Sequence, residues 1–202
     1  MLFITVRLIF WSIVFVACFI YIKRSHIIRK RQWYLISFII VTILTTLSAL
    51  VPIENAFITF PSLESAYSYT HLEEAKLIVN GNKTDFVIGQ KGDTYTYTII
   101  PKSDKGWKLT RGTDIKQTNN IVHEGYIIYV YQYKNSDDYY ITVLDTKGGE
   151  SKITDNHNSK FYYLNKTNST LNQTFYTYYA YINNLDDQYT IEINDLKIKV
   201  KN

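Results

Sequence analysis

The chain has 202 residues, with 22 Lys and Arg against 18 Asp and Glu, 19 tyrosines, three prolines and a single cysteine. One cysteine excludes a disulfide scaffold. Six of the basic residues and none of the acidic ones precede Val51, so the net charge of +4 divides into +6 before that residue and −2 after it. A slightly acidic remainder excludes a nucleic-acid-binding surface of the usual basic kind.

Two apolar stretches open the chain. Leu2 to Ile22 carries one charge, Arg7, whose guanidinium is expected to reach the lipid headgroups while its stem stays in hydrocarbon. A cleaved signal sequence is the competing reading. It is disfavoured because no small-residue cleavage site follows Ile22 and because the strong charge comes after the apolar run rather than before it. Tyr34 to Val51 is uncharged over about 18 residues, roughly 27 Å as a helix, which matches a hydrocarbon core of about 30 Å once its flanks are added. Between the stretches lie Lys23, Arg24, Arg29, Lys30 and Arg31 with no acidic residue. Short cationic loops resist translocation, so these five residues are the topology determinants of a helical hairpin. The expectation is a multi-pass protein of the cell membrane, with spans at about 2–22 and 34–52, a cytoplasmic loop at 23–33 and both termini outside. Neither span holds an acidic residue or a GxxxG, so no ion path is indicated.

Residues 53–72 read as a juxtamembrane linker. Ser62 can cap a short helix through Thr70, with Leu63, Ala66 and Tyr67 on one face, and this helix is expected to be the most mobile. Phe57 and Phe60 are expected near the headgroups.

From residue 73 to 202 the pattern is that of strands. Leu77 to Val79 and Phe86 to Ile88 flank Asn80-Gly81, a tight-turn dipeptide. Asp93 to Ile100 alternates tyrosine and threonine and is expected to end at Pro101. Tyr126 to Tyr133 and Tyr139 to Leu144 form the next pair around a turn at Lys134 to Asp137. Further strands are expected at Lys160 to Leu164 and Thr174 to Ile182. In the last hairpin a turn at Asn194-Asp195 sets Ile193 opposite Leu196, Ile191 opposite Ile198 and Glu192 opposite Lys197, and a one-residue slip would destroy the apolar stripe. The fold class expected is therefore a two-helix transmembrane hairpin plus an all-β extracytoplasmic domain. That domain would hold eight to ten mostly antiparallel strands as a sandwich or barrel, with one short linker helix.

Chemistry-bearing patterns are sparse. His26, His71, His123 and His157 show no zinc spacing, and there is no HExxH, GxSxG or phosphate-cradling GxxxxGK[ST]. The DNHNS stretch from Asp155 fails as a calcium loop, having Lys160 and Lys166 where Gly and Glu belong. No cofactor is implied. Asn82, Asn165, Asn168 and Asn172 begin N-x-[ST] triplets, of which a chain this rich in Asn, Ser and Thr holds about two or three by chance. Tyrosines at alternate strand positions, Tyr129, Tyr131, Tyr176 and Tyr178, are candidates for an outward row of rings that could stack on a partner.

The succession of hairpin, FPSLESAYSYTH, KLIVNGNKTDFVIG and YTYTIIPKSDKGWKL resembles uncharacterised membrane-anchored proteins of low-GC Gram-positive bacteria. The resemblance covers about half of the chain and implies a source and an address, with no activity attached. Two classes of function follow. In the first the chain is a non-catalytic, membrane-anchored binding or accessory module meeting the bilayer and an envelope protein, a peptide or cell-wall glycan. The alternatives are an envelope-directed hydrolase or a small subunit of a larger membrane complex.

Overall fold

The computed structural model describes residues 2–26, 28–92, 94–168 and 173–200. Helices α1 (Leu2–Arg24) and α2 (Lys30–Leu50) run antiparallel: Phe19 stacks on Tyr34 at 4.8 Å and Phe15 meets Phe38 at 6.2 Å. Both helices are long and apolar enough to cross a membrane. Their apolar side chains face outward, with Ile13 63%, Leu35 63% and Phe38 59% exposed. Lys23 and Arg24 close α1 where cations favour the helix dipole, and Lys30 and Arg31 open α2, so only Arg29 of the five falls between the helices. The connection is thus shorter than 23–33, and α2 starts earlier than expected.

Ser62 caps α3 (Leu63–Thr70) as expected: its Oγ accepts the Ser65 backbone N–H at 3.1 Å, while Ser65 Oγ accepts the Ser62 N–H at 3.3 Å. Leu63, Ala66 and Tyr67 are buried against Val87, Ile100 and Leu109. The helix is therefore a layer of the β body.

Among the described residues, twelve strands follow in three antiparallel sheets. The first contains β1 (Glu74–Asn80), β2 (Thr84–Lys91), β3 (Thr94–Ser103) and β4 (Gly106–Trp107). The second has the order β5-β6-β7-β10-β9, from β5 (Ile115–His123), β6 (Tyr126–Tyr133), β7 (Asp138–Asp145), β9 (Tyr162–Asn168) and β10 (Gln173–Asn183). The third joins β8 (Ile153–Asp155) to β11 (Thr190–Ile193) and β12 (Leu196–Lys199).

Side-chain parity stacks these elements. Ile78, Val87 and Ile100 of the first sheet face α3, whereas Val79, Phe86, Ile88 and Ile99 face the second sheet. On the second sheet Tyr140 and Tyr179 meet the first, while Ile128, Val130, Ile141, Val143 and Ile182 meet Ile191, Ile193 and Ile198 of the third. Both faces of the five-stranded sheet are covered. Continuous apolar and aromatic runs such as YIIYVYQY are the sequence mark of such a strand.

The last hairpin has the expected register: Ile191 pairs with Ile198 and Glu192 with Lys197, and the turn residues Asn194 and Asp195 sit at φ 47° and 70°. Two expectations are corrected, and one strand is new. Asn80 pairs with Asp85, so the first turn is longer than two residues, and Gly81 is needed for space because a Cβ there would lie 2.4 Å from the Tyr140 hydroxyl. Pro101 does not end β3; it pairs opposite Thr84 and its carbonyl accepts the Lys108 N–H at 3.0 Å. Strand β5, whose KQTNN run is polar, pairs along β6 through a Glu124-Gly125 turn with both φ positive. Its burial on one side only hides it from an apolar pattern. Asn172 and Asn202 lie outside the described residues, as does Asp93.

Candidate functional site

The seam between the first and second sheets is closed by polar groups and then filled with rings. Asp138, 1% exposed, accepts the Lys83 backbone N–H, the Thr84 hydroxyl and the Tyr181 hydroxyl, each at 2.8 Å. The Tyr140 hydroxyl donates to the Thr84 carbonyl at 2.7 Å. Three donors thus meet this buried carboxyl, as burying so polar a group requires. Burial pushes the Tyr140 phenol up, so it stays neutral and donating.

Beside this staple Phe86 forms a hub. Its ring lies 5.1 Å from Tyr140, 6.1 Å from Tyr131, 6.1 Å from Tyr179 and 6.2 Å from Tyr97. Tyr131 continues the series to Tyr97 at 6.0 Å and to Tyr129 at 6.3 Å. Tyr97 is 52% exposed, so the series of rings runs from the interior to the surface. Burial, with Tyr97 and Tyr129 adjacent, pushes the Tyr131 phenol up to about 12. The group is a protonated hydroxyl at neutral pH, able to donate as well as to accept.

The four tyrosines expected in one row do not share a face. Tyr129 is level with Thr142 and Tyr179, whereas Tyr178 is level with Val143 and Ile128. Registered partners point the same way and neighbours along a strand point oppositely. Tyr129 and Tyr131 therefore face the first sheet, while Tyr176 and Tyr178 face the third. Tyr178 is 6% exposed and its hydroxyl accepts the Ser151 backbone N–H at 2.7 Å, so it is a core residue. Tyr163 stacks on Tyr176 at 5.9 Å and meets Tyr178 in a tilted pair at 5.4 Å. Tyr97, read from sequence only as a strand residue, is the ring that carries the series outward. Its sequence signal is weak, because Tyr95 alternates with it on the same face.

A second constellation lies where the hairpin meets the β body. Arg7 does not extend away from the protein; it is 8% exposed and grips Glu54 of the 3-10 turn Ile53–Ala56 through Nε to Oε1 at 2.7 Å and Nη2 to Oε2 at 2.6 Å. Its Nη1 donates to the Ser48 carbonyl, Trp11 Nε1 donates to Ser48 Oγ at 3.0 Å, and Tyr69 of α3 donates to Glu54 at 3.4 Å. A guanidinium prefers this bidentate fork to hydration when a carboxylate is within reach. Burial alone would raise the Glu54 carboxyl, but the bonds and charge of Arg7, a backbone hydrogen bond and the Tyr69 hydroxyl together outweigh it and hold it below the ordinary range. Next to it Asn55 Nδ2 donates to the Leu109 carbonyl at 2.7 Å and Oδ1 accepts the Leu109 N–H at 2.8 Å. Helix α1, the 3-10 turn, α3 and the segment after β4 are thus tied together by side-chain bonds. Arg7 was legible as a charge inside an apolar run. Its partner was the first acid after the spans.

The loops beyond the third sheet bring His157 Nε2 to 3.1 Å from Asp186 and set the His157 ring edge-on to Tyr189 at 5.1 Å. Tyr189 donates to Asp155 at 2.6 Å, and Asp155 accepts the backbone N–H groups of His157 and Ser159. These bonds pin one loop to another. Among the described residues no group of three or more His, Cys, Asp and Glu could hold a metal ion.

Comparison with family models, with curated proteins and with solved structures returned no match.

Proposed function

We propose that the chain is a membrane-anchored extracytoplasmic binding or accessory module without catalytic activity, whose ligand surface is the aromatic mouth of the seam between the first two sheets. The observation that carries this reading is the ring series from Phe86 through Tyr131 to the half-exposed Tyr97. Rings with neutral hydroxyls offer a flat face for sugar rings or peptide side chains and donors for their polar edges. Within the cell membrane the hairpin is multi-pass, with its basic turn in the cytoplasm and both termini outside, as the distribution of cations favours. The partner is the bilayer together with an envelope protein, a peptide or cell-wall glycan, and no nucleic acid is involved. The source implied is a low-GC Gram-positive bacterium, on the resemblance stated above.

Two measurements test the reading. Cysteines at Ser25 and Lys199, in a Cys18→Ala background, are treated on intact cells with an impermeant thiol reagent. Labelling at 199 and protection at 25 are expected; the reverse overturns the orientation. The full chain, solubilised in detergent, is then incubated with insoluble peptidoglycan and with native membrane extract. Tyr97→Ala is expected to lower capture by about 1–3 kcal/mol, the usual worth of a central ring, while leaving the melting curve in place. Unchanged capture by that variant removes the mouth as the binding surface, and release of soluble fragments from peptidoglycan overturns the non-enzymatic claim.

A further inference from the structure

We infer that Phe57 and Ile58 form a third contact with the bilayer, a lipid-inserted foot that seats the β body on the leaflet surface beside the hairpin. This inference rests on the membrane reading above. Phe57 is 86% exposed and Ile58 42% exposed, whereas Phe60, three residues on, is 7% exposed beneath α3. A sequence pattern treats Phe57 and Phe60 alike. The structure separates them.

Position fixes what covers the foot. Arg7 holds Glu54 and also the carbonyl of Ser48 in the last turns of α2, so Glu54 lies level with the end of that helix. Phe57 follows Glu54 by three residues, a separation of at most about 11 Å. Between Arg7 and Arg24 on α1, and between Arg31 and Ser48 on α2, each helix rises about 26 Å, close to a hydrocarbon thickness of about 30 Å. The ion pair therefore marks the border of the hydrocarbon, and Phe57 lies in the glycerol and headgroup zone, where aromatic rings settle. The loop is also held in shape: Lys108 Nζ donates to the carbonyls of Asn55 at 2.8 Å and Ile58 at 3.0 Å, and the Phe57 and Ile58 N–H groups bond to the Glu54 carbonyl at 2.9 and 2.7 Å. The Phe57 and Ile58 N–H groups and the Asn55 and Ile58 carbonyls, which would resist entering an apolar zone, thus have protein partners, leaving two apolar side chains to face lipid. An exposed ring on a braced loop, continuous with two lipid-facing helices, has the leaflet as its natural cover.

The test uses the full chain in phosphatidylglycerol/phosphatidylcholine nanodiscs, in a Cys18→Ala background, with a nitroxide at one site at a time. Phe57→Cys, Ile13→Cys and Val122→Cys are compared by the ratio of oxygen to water-soluble nickel-chelate accessibility. Ile13 is 63% exposed near the middle of α1 and Val122 is 71% exposed beside the β5–β6 turn. The expected order is Ile13 highest, Phe57 several-fold above Val122, and Val122 at the aqueous value. A ratio at 57 equal to that at 122, with 13 still reading lipid, overturns the foot and leaves the anchor standing. An aqueous ratio at 13 overturns the membrane reading itself and the foot with it.

Discussion

The hairpin and the β body solve opposite problems with the same amino acids. The body hides Ile128, Val130, Ile141, Val143, Ile191 and Ile193 between sheets, all at 0% exposure, and its stability comes from removing them from water. The hairpin turns Ile13, Leu35 and Phe38 outward, so few apolar contacts within the protein fix its arrangement. Polar bonds must then set its geometry, and Arg7 with Glu54, Ser48 and Trp11 supply them. The comparison teaches that a single ion pair can matter more in the thin helical part than any one pair does in the layered part.

Substitutions rank the two strategies. The largest effect is expected from Arg7→Ala, which strands the Glu54 charge among buried groups and should loosen the joint by about 3–5 kcal/mol, read as faster proteolysis between Pro52 and Ser62. If cleavage there is no faster than in the unaltered chain, the hairpin is not held by its ion pair. Acid acts on the same bond. Because the Glu54 carboxyl is held below its ordinary value, its contribution is complete above about pH 4.3 and is lost as pH falls through the lowered value, so cleavage at the joint should match at pH 7 and 5 and rise only in stronger acid.

In the body, Ile198→Ala is expected to cost about 2–4 kcal/mol in urea unfolding of the detergent-solubilised chain, since Ile198 is paired with Ile191 inside the core between the second and third sheets. Tyr140→Phe should cost less, about 1–2 kcal/mol, because it deletes the hydroxyl's contacts with the Thr84 carbonyl and the Thr84 hydroxyl and keeps the ring against Phe86. Were Tyr140→Phe the costlier of the two, the seam would be held by its polar staple more than by packing. Lys199→Ala, on the outward side of β12, is expected to stay within about 0.5 kcal/mol.

What could be read from sequence follows the same division. The two long apolar helices, the Ser62 cap and the register of the last hairpin were legible because each rests on neighbouring residues: an apolar run, a capping box, a turn between alternating stripes. Strand β5 was hidden because its partner β6 supplies the apolar side of the pair while its own residues stay largely polar. The tyrosine row failed for a reason of parity. Which face Tyr129 and Tyr178 take depends on the pairing of β6 and β10 with β7, and both faces of that sheet are covered. Likewise the Arg7–Glu54 bond spans 47 residues, a distance over which no local pattern connects them.

The joint can also be viewed as a mechanical fitting. A domain attached to a helix by one stretch of chain is a swivel, free to turn about that peptide. Here the chain passes from α2 through Pro52 while a separate strut runs from α1 through Arg7 to Glu54, and Asn55 bolts the same turn to Leu109 of the body. Two non-collinear attachments make a bracket. A lateral pull on the body is shared between both helices instead of twisting one.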